Sequence, residues 1–238
     1  LFEFTESRDR ATRVLKYIAN IQVNNPDAKR HQYDTPRFPK AQREVTKQDG
    51  LKLLLDTDGP EAVKEWVLGQ KKLLITDTTM RDAHQSLLST RLRTRDMLKG
   101  ADGTADILAD CFSLEMWGGA TFDTAYRFLH ESPWERLEML REKIPNIPFQ
   151  MLLRGSNLVG YASYPDNLVR AFIAESAREG IDVFRVFDSL NWMPNMETAM
   201  DEVLRQGKFL EGTVCYTGDI LDPARDRYTL QYYVDFAK

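Results

Sequence analysis

Five apolar runs recur along the chain at intervals of roughly 30 to 40 residues, separated by longer stretches with helical spacing. The runs read LLIT, CFSLEMW, IPFQMLL, IDVFRVF and KFLEGTVCYT. Strands that alternate with helices indicate parallel βαβ units. Because no Gly-rich phosphate turn follows the first run, the spacing favours a (β/α) barrel over a doubly wound sheet. We therefore predict an α/β fold of the (β/α)8 TIM-barrel type, with about five of the eight strands present.

A helical linker region precedes these runs. ESRDRATRVLKYIANIQV places apolar residues on one helical stripe and predicts an amphipathic helix. The polar, proline-bearing text from Asn24 to Lys47 predicts a linker, and a short helix with Pro60 in its first turn follows. The stretch PARDRYTLQYYVDFAK predicts the fifth helix of the barrel. Five parallel strands with an open edge would be a poor isolated domain, so we expect a piece of a longer protein.

Composition narrows the function. The formal charge is −4 and there is no long Lys/Arg block, which argues against nucleic-acid or membrane-surface partners and favours small molecules. The two cysteines, Cys111 and Cys215, are too few for a disulfide framework and suit a reducing compartment. No apolar stretch reaches the roughly 20 residues that span a bilayer, and no signal-peptide core is present. We expect a cytoplasmic location.

Polar residues follow the ends of four consecutive predicted strands, where a barrel of this kind keeps its working residues. They are Asp77, Arg81, Asp82, His84 and Gln85 after the first strand, Glu115, Trp117 and Asp123 at the second, Arg154, Asn157 and Tyr161 after the third, and Asp188 and Asn191 after the fourth. Because these strand ends share one face of the barrel, the sequence predicts an active site there.

Each of these residues also has a purely structural alternative. Asp77 and Asp82 could cap the next helix, and either arginine could serve only in an ion pair. Tyr161 could be a packed aromatic, and Glu115 could merely support the barrel. His84 by itself is a weak ligand candidate. Taken one at a time these alternatives are favoured, but they explain poorly why all the residues occur at one face.

Several motifs are specific enough to indicate a family. DTTMRDAHQSLLSTRLRT, SLEMWGGATFDTAYRFLHESPWERL, MLLRGSNLVGY and DVFRVFDSLN closely resemble the carboxyltransferase domain of the pyruvate carboxylase family. These are biotin- and metal-dependent enzymes that make oxaloacetate from pyruvate. The resemblance implies that residues 1–23 end a biotin carboxylase domain and that residues 24–72 are a linker with a short helical segment. Residues 73–238 then form the N-terminal part of an incomplete carboxyltransferase barrel.

Two relatives share the barrel motifs: the α subunit of oxaloacetate decarboxylase and the barrel subunit of transcarboxylase. Those chains typically begin close to the first strand, so the upstream RDRAT segment weighs against them. SYPDN after Tyr161 and FDSLN at the fourth strand also look more like pyruvate carboxylase. A non-catalytic module that supplies only linker and interface surface is the remaining alternative.

The resemblance implies roles for six residues. Asp82 would be a ligand of a divalent metal of the Mn, Zn or Mg type, completed by an H-x-H pair and a carboxylated lysine that this sequence does not contain. Arg81 and Gln85 would contact substrate, and Arg154 would bind the pyruvate carboxylate, because a guanidinium fork matches a planar carboxylate. Asp123 and Tyr161 would lie at the biotin end of the site.

Cofactors and partners follow from the same resemblance. They are biotin on a separate biotin carboxyl carrier domain, ATP at a separate biotin carboxylase domain, and pyruvate and oxaloacetate as reactants. The resemblance also suggests a homotetramer, and the mitochondrial matrix as the location in an animal. In the implied reaction carboxybiotin loses CO₂, and the enolate of pyruvate attacks it. We expect the chain alone to bind metal poorly and to be inactive.

Overall fold

The computed structural model describes residues 10–21, 40–82, 85, 91–222, 224 and 227–238. The chain divides into two compact units, Leu1–Arg37 and Phe38–Lys238. In the first unit the predicted amphipathic helix is present as α1, Arg10–Ala19, and its apolar Val14, Leu15 and Ile18 are exposed. Most of the predicted linker lies outside the described residues.

Five parallel strands form one sheet in the second unit, in the order in which they occur in the sequence. They are β1 Thr76–Asp77, β2 Ser113–Trp117, β3 Phe149–Leu153, β4 Val183–Val186 and β5 Phe209–Gly212. Every neighbouring pair is parallel. Since each strand needs a crossover to run parallel to the last, the helices predicted between the strands are required by this topology. The predicted parallel α/β fold with five strands is confirmed.

Helices precede, connect and follow the strands. They are α2 Lys52–Gly69, α3 Thr79–Asp82, α4 Thr94–Ile107, α5 Gly119–Asp123, α6 Pro133–Lys143, α7 Asp166–Arg178, α8 Met193–Arg205 and α9 Leu230–Ala237, with a π-helical turn at Thr124–Leu129 and 3-10 turns at Lys47–Asp49 and Gly155–Asn157. Local sequence sets their starts. Ser132 accepts a hydrogen bond from the backbone of Glu135 ahead of Pro133, and Thr229 accepts one from the backbone of Tyr232.

One face of the sheet packs against the connecting helices. Phe149, Met151 and Leu153 alternate along β3 and are fully buried against helix stripes such as Leu137 and Leu140 on α6. Period-two spacing on the strand thus meets helical spacing on the helix. Each such side chain contributes about 1.5–3 kcal/mol on burial, which makes this layer the main source of stability.

Apolar residues of helix α2 pack against residues at the amino ends of the strands. Leu51, Leu55 and Val63 form a second apolar cluster with Phe112 and Val183. The helix breaks at Gly59, whose φ of +80° suits glycine, and Pro60 begins the second segment. Pro60 therefore occupies a first helical turn, as the sequence predicts.

A buried charge cluster centred on Asp182 also lies at the amino ends of the strands. The carboxylate of Asp182 pairs with Arg141 of α6 at 2.6 Å, with Lys52 of α2 at 3.1 Å and with Lys208 at 3.5 Å, and it accepts the backbone N–H of Phe149 at 2.9 Å. Burial alone would raise the pKa of Asp182, but these cations and the N–H hold it below its usual value. The cluster joins α2 and α6 to the amino ends of the strands, whereas the predicted site lies at their carboxyl ends.

The first and fifth strands are much shorter than the apolar runs that predict them. The first run, LLIT, becomes strand only at Thr76, because Leu73 and Ile75 are exposed ahead of it. The fifth run forms β5 over Phe209–Gly212 only. Among the described helices, none is both long enough and apolar enough to cross a bilayer.

Candidate active site

The turn after β1 delivers Arg81 and Asp82 to the carboxyl ends of the strands. Asp77, the last residue of β1, accepts hydrogen bonds from the backbone N–H of Thr79 at 3.1 Å and from its hydroxyl at 3.0 Å. This is the helix-start role that the sequence left open for Asp77. Asp82 is the last residue of α3.

Arg81 is the hub of the first group of predicted residues. Its Nη1 donates to Asp82 Oδ1 at 2.9 Å and to Gln85 Oε1 at 2.9 Å. Its Nε and Nη2 donate to Glu115 Oε1 on β2. The structure therefore brings Arg81, Asp82 and Gln85 together, around an arginine side chain that is only 14% exposed. His84 lies outside the described residues.

Glu115 belongs to a chain of polar side chains that crosses the sheet on the face opposite the main core. We call this set the polar ladder; its members are Thr76, Ser113, Gln150, Glu115, Arg185 and Glu211. Gln150 donates to Glu115 Oε2 at 3.2 Å, Arg185 Nη1 lies 3.6 Å from the same oxygen, and Arg185 Nε donates to Glu211 at 2.7 Å. Each strand contributes at least one member, so the ladder links the site to the whole sheet.

Two glycines at the end of β2 separate the two predicted arginines. A Cβ placed on Gly118 would lie 3.1 Å from Arg81 Cδ, and one placed on Gly119 would lie 2.8 Å from Arg154 Nη2. Only glycine leaves room for both side chains at these distances. The pairing of β2 with β3 also shifts register between Glu115 and Trp117, a bulge of the kind found beside active sites. Arg81 and Arg154 therefore flank one short backbone segment.

A strained turn aims Arg154. The N–H of Arg154 donates to the carbonyl of Leu158 at 3.0 Å, and Leu158 has a φ of 52° with a ψ of −116°, rare for a branched residue. Gly155 has a φ of 47°, and a Cβ there would meet the carbonyl of Asn195 at 2.3 Å. Arg154 Nη1 donates to the carbonyl of Gly160 at 3.0 Å, which closes the turn.

Tyr161 stands beside Arg154 and is open to solvent. The guanidinium carbon of Arg154 is 5.3 Å from the centre of the Tyr161 ring, and the tyrosine is 83% exposed, so it is not a packed aromatic. A cavity of about 370 Å³ lies here, lined by Arg154, Asn157, Gly160, Tyr161, Phe187, Asp188, Ser189 and Asn195. A guanidinium beside an exposed ring can bind a carboxylate and stack a flat ring system.

Asp188 and Asn191 shape the loop after β4. Asp188 accepts the N–H groups of Leu190 and Trp192 and the side-chain amide of Asn195. Asn191 exchanges two hydrogen bonds with the backbone of Cys215, at 2.7 and 2.8 Å. Burial, together with the carboxylate of Asp188, raises the pKa of the Cys215 thiol. The thiol therefore stays protonated at neutral pH and is a poor nucleophile.

Asp123 lies at the end of a short helix that follows β2. It ends α5, which begins at Gly119, and it pairs with Arg127 at 3.2 Å in the π-helical turn that follows. Its described contacts do not include Arg154 or Tyr161. Single π-helical turns occur often at functional sites, and this one begins one residue after Asp123.

The donor set for a metal is incomplete in the described part of the chain. No group of three His, Cys, Asp or Glu residues there could hold a metal ion. Asp82, about 30% exposed, can offer one carboxylate, and a transition metal needs further nitrogen or oxygen ligands.

Sequence reasoning did not single out the two glycines, and it placed Glu115 among the candidate site residues with support of the barrel as its structural alternative. A signal for Glu115 was present: a charged residue at the centre of a strand whose every residue is buried. Gln150, Arg185 and Glu211 are likewise polar residues within the next three strands. The glycines carry no comparable signal, because their role depends on side chains from two other loops.

Solved structures identify the class of domain. The carboxyl transferase domain of Rhizobium etli pyruvate carboxylase with pyruvate superposes with a TM-score of 0.81 at 49% identity, covering 97% of this chain and 40% of that one. The same domain with pyruvate and biocytin gives 0.77 at 51% identity, covering 96% and 39%. The fold described here is that of part of a carboxyl transferase domain.

Curated relatives narrow the class further. Staphylococcus aureus pyruvate carboxylase is 55% identical over 244 residues, covering all of this chain and 21% of that protein. Human mitochondrial pyruvate carboxylase is 47% identical over 249 residues, covering all of this chain and 20% of that protein. No protein-family model matches the sequence. The chain is a homologue of the pyruvate carboxylases along its whole length, and it spans about a fifth of the length of these relatives.

Proposed function

We propose that the full-length protein carboxylates pyruvate to oxaloacetate with biotin as the carrier, and that this chain supplies part of the carboxyl transferase site. The observation that carries the proposal is the pair of arginines, Arg81 and Arg154, which flank Gly118 and Gly119 at the carboxyl edge of the sheet. Two cationic forks on either side of a small space suit a 2-oxo acid, which has a carboxylate at one end and a carbonyl beside it. Homology along the whole chain supports this reading.

The two arginines have separate roles in this proposal. Arg154, beside the open cavity, binds the carboxylate of pyruvate bidentately. Arg81 and Gln85 lie near the carbonyl oxygen, and the positive charge of Arg81 stabilises the enolate as the methyl group loses a proton. Tyr161 offers its exposed ring to the biotin rings, and Asp123 lies at the biotin end of the site.

A divalent metal of the Mn, Zn or Mg type would polarise the same carbonyl oxygen when bound. Asp82 would be one of its ligands, and the others would come from outside the described residues. Arg81 contacts Asp82 Oδ1 and so orients the carboxylate beside the substrate site.

The wider assembly follows from the relatives. We infer that the five strands are the first of a (β/α)8 barrel, with residues 1–23 ending a biotin carboxylase domain, 24–72 linking, and 73–238 opening the carboxyltransferase barrel. Biotin on a mobile carrier domain, ATP at the biotin carboxylase domain and a homotetramer belong to this proposal. So does a cytoplasmic location, or the mitochondrial matrix if the source is an animal.

The overall reaction tests the proposal. Purified full-length protein, given ATP, bicarbonate and pyruvate, should fix labelled bicarbonate into oxaloacetate, and avidin should abolish the fixation. Omission of pyruvate should leave only slow ATP cleavage. Fixation that avidin does not affect, or none in biotinylated, metal-loaded protein, would contradict the assignment.

A further inference from the structure

Glu115 is a charged residue in the middle of a fully buried strand. Its side chain is 0% exposed, although β2 pairs with β1 and β3 and all five of its residues are buried. A buried carboxylate needs partners, because leaving a charge unpaired away from water is strongly unfavourable. Glu115 has three partners: Arg81, Gln150 and Arg185.

The two oxygens of Glu115 have different partners. Oε1 accepts from Nε and Nη2 of Arg81, which form one edge of the guanidinium. Oε2 accepts from Gln150 at 3.2 Å and lies 3.6 Å from Arg185. The first oxygen therefore fixes the plane of Arg81, while the second ties Glu115 to β3 and β4. An edge-on contact of this kind sets both the position and the orientation of the fork.

The remaining donor edge of Arg81 points to the site. Nη1 contacts Asp82 and Gln85, the two other residues proposed to work beside the carbonyl oxygen. On another side the Arg81 side chain packs closely against Gly118. A Cβ placed on this glycine would lie 3.1 Å from Arg81 Cδ. Without Glu115, the Arg81 guanidinium would keep only its contacts with Asp82 and Gln85. The carboxylate of Asp82 would then pull the guanidinium out of its present orientation.

We propose that Glu115 is a positioning residue for carboxyl transfer, which fixes the Arg81 guanidinium so that it holds Asp82 and Gln85 beside the reacting oxygen. The inference rests on the proposed function and goes beyond it, because the fully buried Glu115 has no exposed surface to offer substrate or biotin. It acts through Arg81. The rest of the polar ladder keeps Glu115 from turning away.

The test uses full-length protein with Glu115→Gln, which keeps the shape and removes the charge. The kcat of oxaloacetate formation should fall at least about tenfold, while the KM for pyruvate stays within about threefold, because Arg154 does not contact Glu115. ATP cleavage without pyruvate should be unchanged. A merely structural defect would not separate these readouts.

Glu202→Gln is the matched control. Glu202 on α8 is also 0% exposed and accepts from Arg170, Arg205 and Gln206, but it lies outside the site. It should lower the melting temperature and leave kcat near that of the wild type. An equal loss of kcat in both variants would overturn the inference, since burial alone would then explain it.

A double variant tests the route of the effect. If Glu115 acts through Arg81, adding Glu115→Gln to Arg81→Ala should cost nothing beyond Arg81→Ala alone. Losses that multiply, or a wild-type kcat in Glu115→Gln, would overturn the proposal. Should Glu115→Gln fail to fold, Glu115→Asp replaces it: its shorter reach predicts a loss in the same direction, and a wild-type kcat would count against the idea. An inactive wild-type protein would instead refute the proposed function.

Discussion

The guanidinium of Arg154 and that of Arg81 face different surroundings, although only two glycines separate them. Arg154 lies in an open cavity beside an exposed tyrosine, and Arg81 is tied on one edge to a buried glutamate. An open fork suits the binding of an incoming carboxylate, whereas a fixed fork suits a charge that develops during the reaction.

Arg154→Lys keeps the charge and removes the fork. In the full-length protein it should lower oxaloacetate formation at least tenfold, which corresponds to about 1.4 kcal/mol of transition-state binding. ATP cleavage at the separate site should be largely intact. Arg170→Lys, a change on α7 away from the cavity, is the control. Near-normal oxaloacetate formation in Arg154→Lys would remove Arg154 from the substrate site.

Gly119→Ala should impair the same arginine from a distance. The new Cβ would lie within about 3 Å of the Arg154 guanidinium, and the flexible side chain would move away rather than destabilise the fold. We expect kcat/KM for pyruvate to fall about tenfold, with the melting temperature within a few degrees of the wild type. Gly69→Ala, where no atom lies within 4 Å, should change neither. An unaffected kcat/KM in Gly119→Ala would show that Arg154 need not stay where it is.

At this scale the sequence predicts residue types better than contacts. Arg81, Asp82 and Gln85 are near one another in sequence: the first two lie on one short helix, and Gln85 follows three residues after its end. The proximity of Gly119 to Arg154 joins loops from two strands that lie 35 positions apart. No local pattern encodes such a contact.

At the scale of elements, polar interactions join the strands to one another and to two of the helices. The polar ladder crosses from β1 to β5 beneath the site, and the Asp182 cluster fastens α2 and α6 to the amino ends of the strands. Loops that carry the site can be strained, as at Leu158, because these elements are fixed on both sides.

Asp182→Asn should destabilise the protein. Removing one charge from a buried cluster leaves Arg141 and Lys52 without their shared partner, at a cost of about 3–5 kcal/mol. Because the folded-state pKa of Asp182 is lowered, its stabilisation is complete above the unfolded value of about 3.9 and disappears as pH falls through the folded value. The gap in melting temperature between wild type and variant should therefore be widest near pH 7 and narrow below pH 4. The exposed Asp102→Asn should show almost no gap, and a gap for Asp182→Asn that does not change with pH would contradict the ion-pair account.

Apolar runs predict the existence of elements better than their ends. The runs around β2, β3 and β4 are flanked by neighbours on both sides and appear where they were predicted. In the described residues β1 pairs with β2 alone, and only Thr76 and Asp77 are paired. The length of a strand depends on its neighbours, which an apolar run does not specify.

At the scale of the whole molecule, the chain divides at Arg37 and Phe38, and the predicted site residues all belong to the second unit. The proposed function calls for components that this unit does not hold among its described residues: further metal ligands and a biotin carrier. A chain that spans about a fifth of its relatives is therefore best tested within the full-length protein.

The half-reaction at the carboxyl transferase site tests the central claim most directly. Full-length protein should decarboxylate oxaloacetate when free biotin is supplied, without ATP, because this step needs only the site to which Arg81 and Arg154 are assigned. We predict that wild-type protein shows biotin-dependent release of pyruvate and that Arg154→Lys lowers it at least tenfold. Release that is independent of biotin, or equal in the two proteins, would contradict the account.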